Sequence, residues 1–295
     1  MAPAVVTLMT PSEQLLARVT AVIVNYNSGR WLARCIENLR GRSSPLPAVI
    51  VIDNASDDGS IDIVPKLPGI TLRRAHRNLG FGRGVNQALR SVGTEYLLVI
   101  NPDCLMVPDA LEALVTELDR HPDIGMVSGR VFDMRGVEQR GSRRRLPTRR
   151  QVMAEVLPFS GANGIDLTHE PIGDEAVDVE AVSGACMLIR KSALEEIGGF
   201  DPGFHMHFED LDVMARLREA GWRIRLLPSV FIAHAGGISS RQRPVRVMWA
   251  KHRSLWRYLN KHCSQAWTGF GRASWWLFIH LHAVVMTPVC LVRGR

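Results

Sequence analysis

The sequence predicts an α/β fold built on a mostly parallel, doubly wound sheet with a basic helical appendage at the carboxyl end. Three observations carry that reading. Short apolar, partly β-branched runs alternate with amphipathic segments through the first part of the chain. Asn and Asp recur where those runs end, at Asn25, Asp53, Asn54, Asn101 and Asp103. Residues 220–295 hold 12 of the 36 Lys and Arg and none of the 29 Asp and Glu, which leaves the rest at −5 within a total of +7.

The elements follow in order. "VTAVIVNY" (19–26) predicts a strand, and "SGRWLARCIENLRG" a helix with Trp31, Leu32, Cys35, Ile36 and Leu39 at helical spacing. "AVIVIDN" (48–54) is a second strand, followed by a turn and a short helix from Ser60. "GITLRRA" (69–75) is a third, and "GVNQALRSVG" a helix. "YLLVINPD" is a fourth, stopped at Pro102, which has no N–H for a ladder. "PDALEALVTELDRH" is a helix opened by Pro108.

The second half is less regular. "GMVSGRVFD" (125–133) predicts a strand, and "GSRRRLPTRRQ" through about Glu175 a long, mobile connection. "VDVEAVSGACMLIRKSALEEIGGF" predicts a strand and a helix. "FEDLDVMARLREAGW" is a helix with Leu211, Met214 and Leu217 on one face, closed by Gly221. "IRLLPSVFIAH" (224–234) is a strand, "PVRVMWAKHRSLWRYLNKHC" a basic amphipathic helix, and 273–292 a nearly apolar stretch. The expected division is an extension over 1–18, a main α/β domain over 19–240 and a basic, Trp-rich helical region over 241–295.

The five cysteines are scattered and form no C-x-x-C pair, which argues against a disulfide framework or a zinc site. Residues 1–14 show no basic n-region, so no secretory signal is expected. The tail interleaves its cations with Trp249, Trp256, Trp267, Trp275 and Trp276, a composition suited to an anionic membrane surface. Packing on the main domain or in a homodimer interface is the alternative use of these Trp residues. A nucleic-acid partner is not expected, because the strand-end carboxylates would repel a phosphate backbone.

In such sheets ligands gather at the carboxyl ends of the strands. Asp53 can accept the imide N–H of a pyrimidine there, or merely form an Asx-turn. Gly80, Gly82 and Gly84 open a helix, either as a close-approach loop for a nucleotide or as a plain turn. Asp103 is a natural ligand for Mg²⁺ or Mn²⁺ beside a diphosphate, with His234 as its candidate partner. Glu209 and Asp210 sit in a first helical turn, as capping residues or as a general base.

Taken together, "AVIVNYNSGRWLARCIENL", "VIDNASDDGS", "RNLGFGRGVNQAL", "INPDC", "SGACMLIRKSALEEIGGFDPGF", "FEDLDVMARLREAGW" and "HAGGIS" resemble family 2 inverting glycosyltransferases of the GT-A fold, in the family's order over roughly 19–240. Within that family the chain is most similar to bacterial rhamnosyltransferases using dTDP-L-rhamnose. The resemblance implies a nucleotide-sugar site of Asn25, Asn27, Asp53, Asn78, Gly80, Gly82, Asn86 and Asn101. It places Asp103 at the last Asp of the D-x-D metal motif, with Asn101 replacing the first, and His234 at a metal or phosphate position. Asp210 matches the catalytic base, Glu209 supports it, and Gly184 lines the acceptor side.

The implied activity is transfer of a sugar, L-rhamnose by best match, to a glycan or polyprenyl-diphosphate-linked acceptor. A UDP-hexose donor is the alternative, and a nucleotidyltransferase or a non-catalytic binding protein the more distant ones. The basic loop is expected to close over the diphosphate with Arg241 or Arg243. The protein is expected in the cytoplasm, peripheral on the cytoplasmic face of the inner membrane, with its tail lying in or dipping into the bilayer.

Overall fold

In chain order the elements are α1 (Pro11–Leu16), β1 (Val19–Asn25), α2 (Trp31–Leu39), β2 (Ala48–Asp53), β3 (Ile70–Arg74), α3 (Phe81–Leu89), β4 (Tyr96–Ile100), β5 (Cys104–Met106), α4 (Ala110–Arg120) and β6 (Ile124–Phe132). They continue as β7 (Arg143–Arg144), α5 (Arg149–Val156), β8 (Val177–Asp178), β9 (Ala181–Val182), β10 (Cys186–Arg190), α6 (Lys191–Glu196), α7 (Glu209–Glu219), β11 (Arg223–His234), α8 (Pro244–His262) and α9 (Gly269–Arg293). This is a computed structural model that describes residues 10–40, 47–64, 66–156, 164–236, 244–263 and 268–293.

The main sheet runs β3-β2-β1-β4-β10-β6-β11-β5, with β8 beside β11. Strands β3, β2, β1 and β4 are parallel. Beyond them the sheet is mixed: β10 is antiparallel to both β4 and β6, while β6 and β11 are parallel. The chain leaves β1 toward β2 and β3, then returns to place β4 on the other side of β1. That reversal opens a crevice at the carboxyl ends of β1 and β4.

Near-continuous apolar runs mark β1, β4 and β10 as strands covered on both faces. One face packs against Leu16 of α1, Leu32 and Ile36 of α2, and Leu111, Leu114 and Leu118 of α4. The other packs against Val85 and Ala88 of α3, Leu211, Met214 and Leu217 of α7, and Tyr258 and Leu259 of α8. Each fully buried Leu or Ile contributes on the order of 2 kcal/mol, so these layers fix the strand ends firmly. The amino-terminal segment expected as an extension thus supplies Leu16 to the core.

Three features differ from the sequence reading. The expected short helix from Ser60 is a turn segment. The single strand expected up to Arg190 is three, β8, β9 and β10, broken at Val179–Glu180 and Ser183–Ala185. The expected mobile connection is tied down over its described part: β7 pairs with β9, Leu146 N–H donates to Glu180 at 2.8 Å, and Arg145 N–H to Ile165 at 2.8 Å. Alternating polar residues there gave no apolar run to signal pairing, because the strand is two residues long.

Candidate active site

The end of β1 meets the end of β2 in a closed polar knot. Asn25 donates to Asp53 at 2.9 Å and to the Ser60 hydroxyl at 2.9 Å. Asp53 also accepts from the Ser56 hydroxyl at 2.5 Å and the Ser56 N–H at 3.2 Å, and Arg74 lies 3.5 Å away. Asn27, at φ +49°, exchanges two hydrogen bonds with Asp57, at 2.8 and 3.0 Å. Asp53 is fully buried and both its oxygens are engaged, so it holds the loop in shape.

The glycine segment divides in two. Gly80 stands at φ +87°, its N–H held by Asn78 at 2.9 Å and its carbonyl by Asn54 at 3.3 Å, with the backbone of His205 directly against it. A side chain at 80 has neither the conformation nor the room. Gly82 and Asn86, expected beside the nucleotide sugar, turn elsewhere. A Cβ on Gly82 would stand 3.0 Å from Phe200, and Asn86 clasps the Phe200 backbone, donating at 2.7 Å and accepting at 2.9 Å. Both therefore serve the packing of α3 on the segment before α7. Gly84 does the same against Val24.

Asp103 and His234 lie 131 positions apart and meet because β5 pairs with β11, with His234 opposite Cys104. His234 Nε2 is 3.2 Å from Asp103 Oδ1 and 3.5 Å from Asn101 Nδ2. Gln139, absent from the sequence reading, brackets the ring. Its amide N–H donates to the His234 carbonyl at 2.7 Å, which turns its oxygen to His234 Nδ1 at 2.9 Å. That network fixes the ring orientation, with Nδ1 on the Gln139 oxygen and Nε2 turned to the Asp103 carboxylate. Cys104 completes the potential ligand cluster, but burial first, then neighbouring charge, pushes its thiol well above the usual range, so it stays protonated. The donor set is one carboxylate and one imidazole, which fits Mg²⁺ or Mn²⁺ sharing its remaining positions with phosphate and water.

Glu209 and Asp210 begin α7 after two left-handed residues, His207 (φ +63°) and Phe208 (φ +65°). A strained pair of this kind aims the first turn at a fixed point. Asp210 accepts from Arg144 at 2.6 Å, with Arg144 also donating to the Val182 carbonyl at 2.9 Å. Burial pushes Asp210 upward, but the charge and hydrogen bond of Arg144 overcome it and hold the carboxyl below the usual range. Glu209 is pushed up to about 8, by burial first and then by the charge of Asp210. Its Oε2 is buried with no described partner, as suits a protonated acid. Sequence reasoning placed Arg144 in a mobile segment and missed it; a run of three arginines held no sign of which one reaches Asp210.

Gly184 sits where a Cβ would stand 2.7 Å from Asp210 Oδ2. The next residue, Ala185, accepts from the Asn101 N–H at 2.8 Å and from the Cys104 thiol at 3.4 Å. The entry to β10 thus joins the Asp210 half of the crevice to the Asp103 half. Arg241 and Arg243, expected as diphosphate clamps, lie outside the described residues.

A family model described as "Glycosyl transferase family 2" matches residues 20–198, and one described as "Glycosyl transferase family 21" matches 167–285. The chain is 29% identical over 261 residues to an N-acetylglucosaminyl-diphospho-decaprenol L-rhamnosyltransferase of Mycobacterium tuberculosis, covering 83% of this chain and 85% of that one. It is 25% identical over 248 residues to the rhamnosyltransferase WbbL of Escherichia coli, covering 82% and 92%. Among solved structures it resembles GalNAc-T7 with UDP, GalNAc and Mn²⁺ (TM-score 0.59, 15% identity, 83% of this chain and 48% of that one). It also resembles a mannosyltransferase from Pyrobaculum calidifontis with GDP-Man and Mn²⁺ (TM-score 0.55, 18% identity, 93% and 73%). The family match spans more than half of the chain, over the same strands that carry the crevice. The chain accordingly belongs to glycosyl transferase family 2 and is a glycosyltransferase of the GT-A fold.

Proposed function

We propose that the protein transfers L-rhamnose from dTDP-rhamnose, with inversion, to a hydroxyl of a polyprenyl-diphosphate-linked glycan in cell-surface polysaccharide synthesis. The similarity to two rhamnosyltransferases, each over more than four-fifths of both chains, supports the donor. The observation that carries the mechanism is the split pair at the start of α7: one ionised carboxylate, Asp210, beside one protonated acid, Glu209. An inverting displacement needs a single base at the reacting centre.

Asp210 accepts the acceptor hydroxyl proton as that oxygen bonds to the anomeric carbon. The bond from that carbon to the diphosphate oxygen breaks on the opposite face, and its electron pair leaves with the diphosphate. Arg144 aims Asp210 and keeps it ionised before the proton arrives. Gly184 leaves open the space over Asp210 that an acceptor hydroxyl needs. Asn25, Asn27 and Asp53 shape the base pocket, and Asn78 and Gly80 let the donor approach the backbone. Asp103 and His234 would hold a divalent cation, which supplies neutralising charge to the diphosphate when bound.

The reading assigns catalysis to residues 19–240 and membrane attachment to 241–295, on the cytoplasmic face. Exposed Trp276, Leu277, Leu281, Val284, Val285 and Leu291 on α9, with only 11% of its most apolar stretch buried, support that attachment. The test offers the purified protein dTDP-rhamnose, UDP-glucose, UDP-galactose and UDP-N-acetylglucosamine, with Mg²⁺ or EDTA. Metal-dependent binding of dTDP-rhamnose alone, lost in Asp103→Ala, is expected. Asp210→Asn should keep donor binding and lose transfer by at least about a hundredfold. Tight binding of a UDP-hexose in its place would overturn the donor assignment.

A further inference from the structure

A cavity of about 440 Å³ lies outside the site above, between α8 and the 203–205 segment. Its α8 wall is one helical stripe, Arg246, Ala250, Arg253 and Arg257, at spacings of four, three and four. Three guanidiniums on one stripe repel one another, and only Arg257 meets a carboxylate, Asp201 at 2.9 Å, which Lys261 shares. Among the described residues Arg246 and Arg253 pair with no carboxylate. His205 lines the opposite wall. Burial first, then the charges of Arg246 and Arg83, lower its pKa, so it remains a neutral hydrogen-bonding group. A stripe of like charge around a cavity, with two cations left over, has the chemistry of a site for a dianion.

The cavity also has an apolar neighbour. Helices α8 and α9 lie side by side, joined by His252 Nε2 to His282 Nδ1 at 2.9 Å and Trp249 Nε1 to Thr287 Oγ1 at 3.2 Å. Trp249 lines the cavity, so its ring stands between the arginines and the carboxyl-terminal half of α9. The outer face of that half exposes Leu281, Val284, Val285 and Leu291. One ligand that satisfies both surfaces carries a phosphate group at one end and a hydrocarbon chain at the other. The 203–205 segment runs on through His207 and Phe208 into Asp210. Asp210 is five positions along the chain from His205, a reach of at most ~18 Å.

We infer that this cavity holds the diphosphate of an isoprenoid-linked acceptor, with its chain laid along α9 and its sugar directed to Asp210. The inference rests on the acceptor class proposed above. Arg246 and Arg253 supply planar forks to the two phosphates, Arg257 and His205 close the sides, and Trp249 separates the charged end from the hydrocarbon.

The test uses the full chain in EDTA, so that no metal recruits a phosphate to Asp103 and His234, and citronellyl diphosphate, inorganic pyrophosphate and citronellol as probes in calorimetry. Citronellyl diphosphate should bind, pyrophosphate more weakly, and citronellol not at all. Arg246→Ala and Arg253→Ala should each weaken the diphosphate by about tenfold or more, Arg253→Lys by less, and Asp103→Ala should leave it unchanged. Equal binding by wild type and the double alanine variant would overturn the proposal, as would binding of citronellol at the same affinity. Phosphatidylglycerol vesicles separate the sources: loss of vesicle binding in parallel with loss of the probe would make the cavity a general contact for anionic surfaces and overturn the acceptor assignment. Binding of dTDP-rhamnose with Mg²⁺ is measured on the Arg246 and Arg253 variants and should not change. A protein that binds the probe in this cavity but no nucleotide sugar would remove the donor reading and leave this one standing.

Discussion

Glu209 and Asp210 are consecutive on one helix turn, yet their carboxyls move in opposite directions because Arg144 hydrogen-bonds Asp210 and touches Glu209 only through its charge, too weakly to offset burial and the charge of Asp210. This difference has a stability signature. Glu209 is raised to about 8 in the folded chain, against an ordinary glutamate value near 4.5. Between those two values the folded state holds a proton that the unfolded state has released, so its contribution to stability is full below pH 4.5 and is lost as pH rises through 8. Urea unfolding at pH 6, 7 and 8 should show stability falling by up to about 1.4 kcal/mol per unit from this group, and Glu209→Gln should remove that part of the slope. The residue scale was also where the sequence was least legible. Asp103, His234 and Asp210 could be suspected from their positions at strand and helix ends. Gln139 and Arg144 could not, since each acts through a contact across 95 or 66 positions of sequence.

At the scale of elements, the strands with unbroken β-branched runs were legible, because burial on both faces writes itself as a continuous apolar string. Strands β5, β7, β8 and β9 were not, being three residues or fewer with no period to read. Helix α7 was legible at both ends. Its carboxyl end is closed as expected, with Gly221 at φ +91° and Trp222 N–H donating back to Leu217 at 2.9 Å. Its approach depends on a clasp that no motif announces, Asn86 on the Phe200 backbone. Asn86→Ala leaves a buried N–H and carbonyl without partners and should cost about 2–3 kcal/mol. A lower urea midpoint at unchanged slope would register it.

At the scale of the whole molecule, charge and apolar surface are segregated onto the carboxyl-terminal hairpin of α8 and α9. Leu281 and Val285 are 57% and 61% exposed, so charging them should leave the core intact. Leu281→Glu with Val285→Glu should lower flotation with anionic vesicles at least severalfold at unchanged melting temperature, and the wild-type interaction should weaken with added salt. The composition of the tail announced this surface, but only the structure shows which side chains remain outside. The reversal of strand direction between β4 and β10 has a consequence for how the enzyme can diversify. The residues proposed for the nucleotide pocket and metal precede β10 except His234, and the groups around Asp210 follow β6, with Arg144 reaching it from β7. The two halves are joined by the β4–β10 ladder, the β5–β11 ladder and the Asn86 clasp on Phe200, so replacing β1–β4 and their loops with those of a relative should exchange the donor while the acceptor side keeps its geometry only where Asn86, Gly80 and Asp103 are retained.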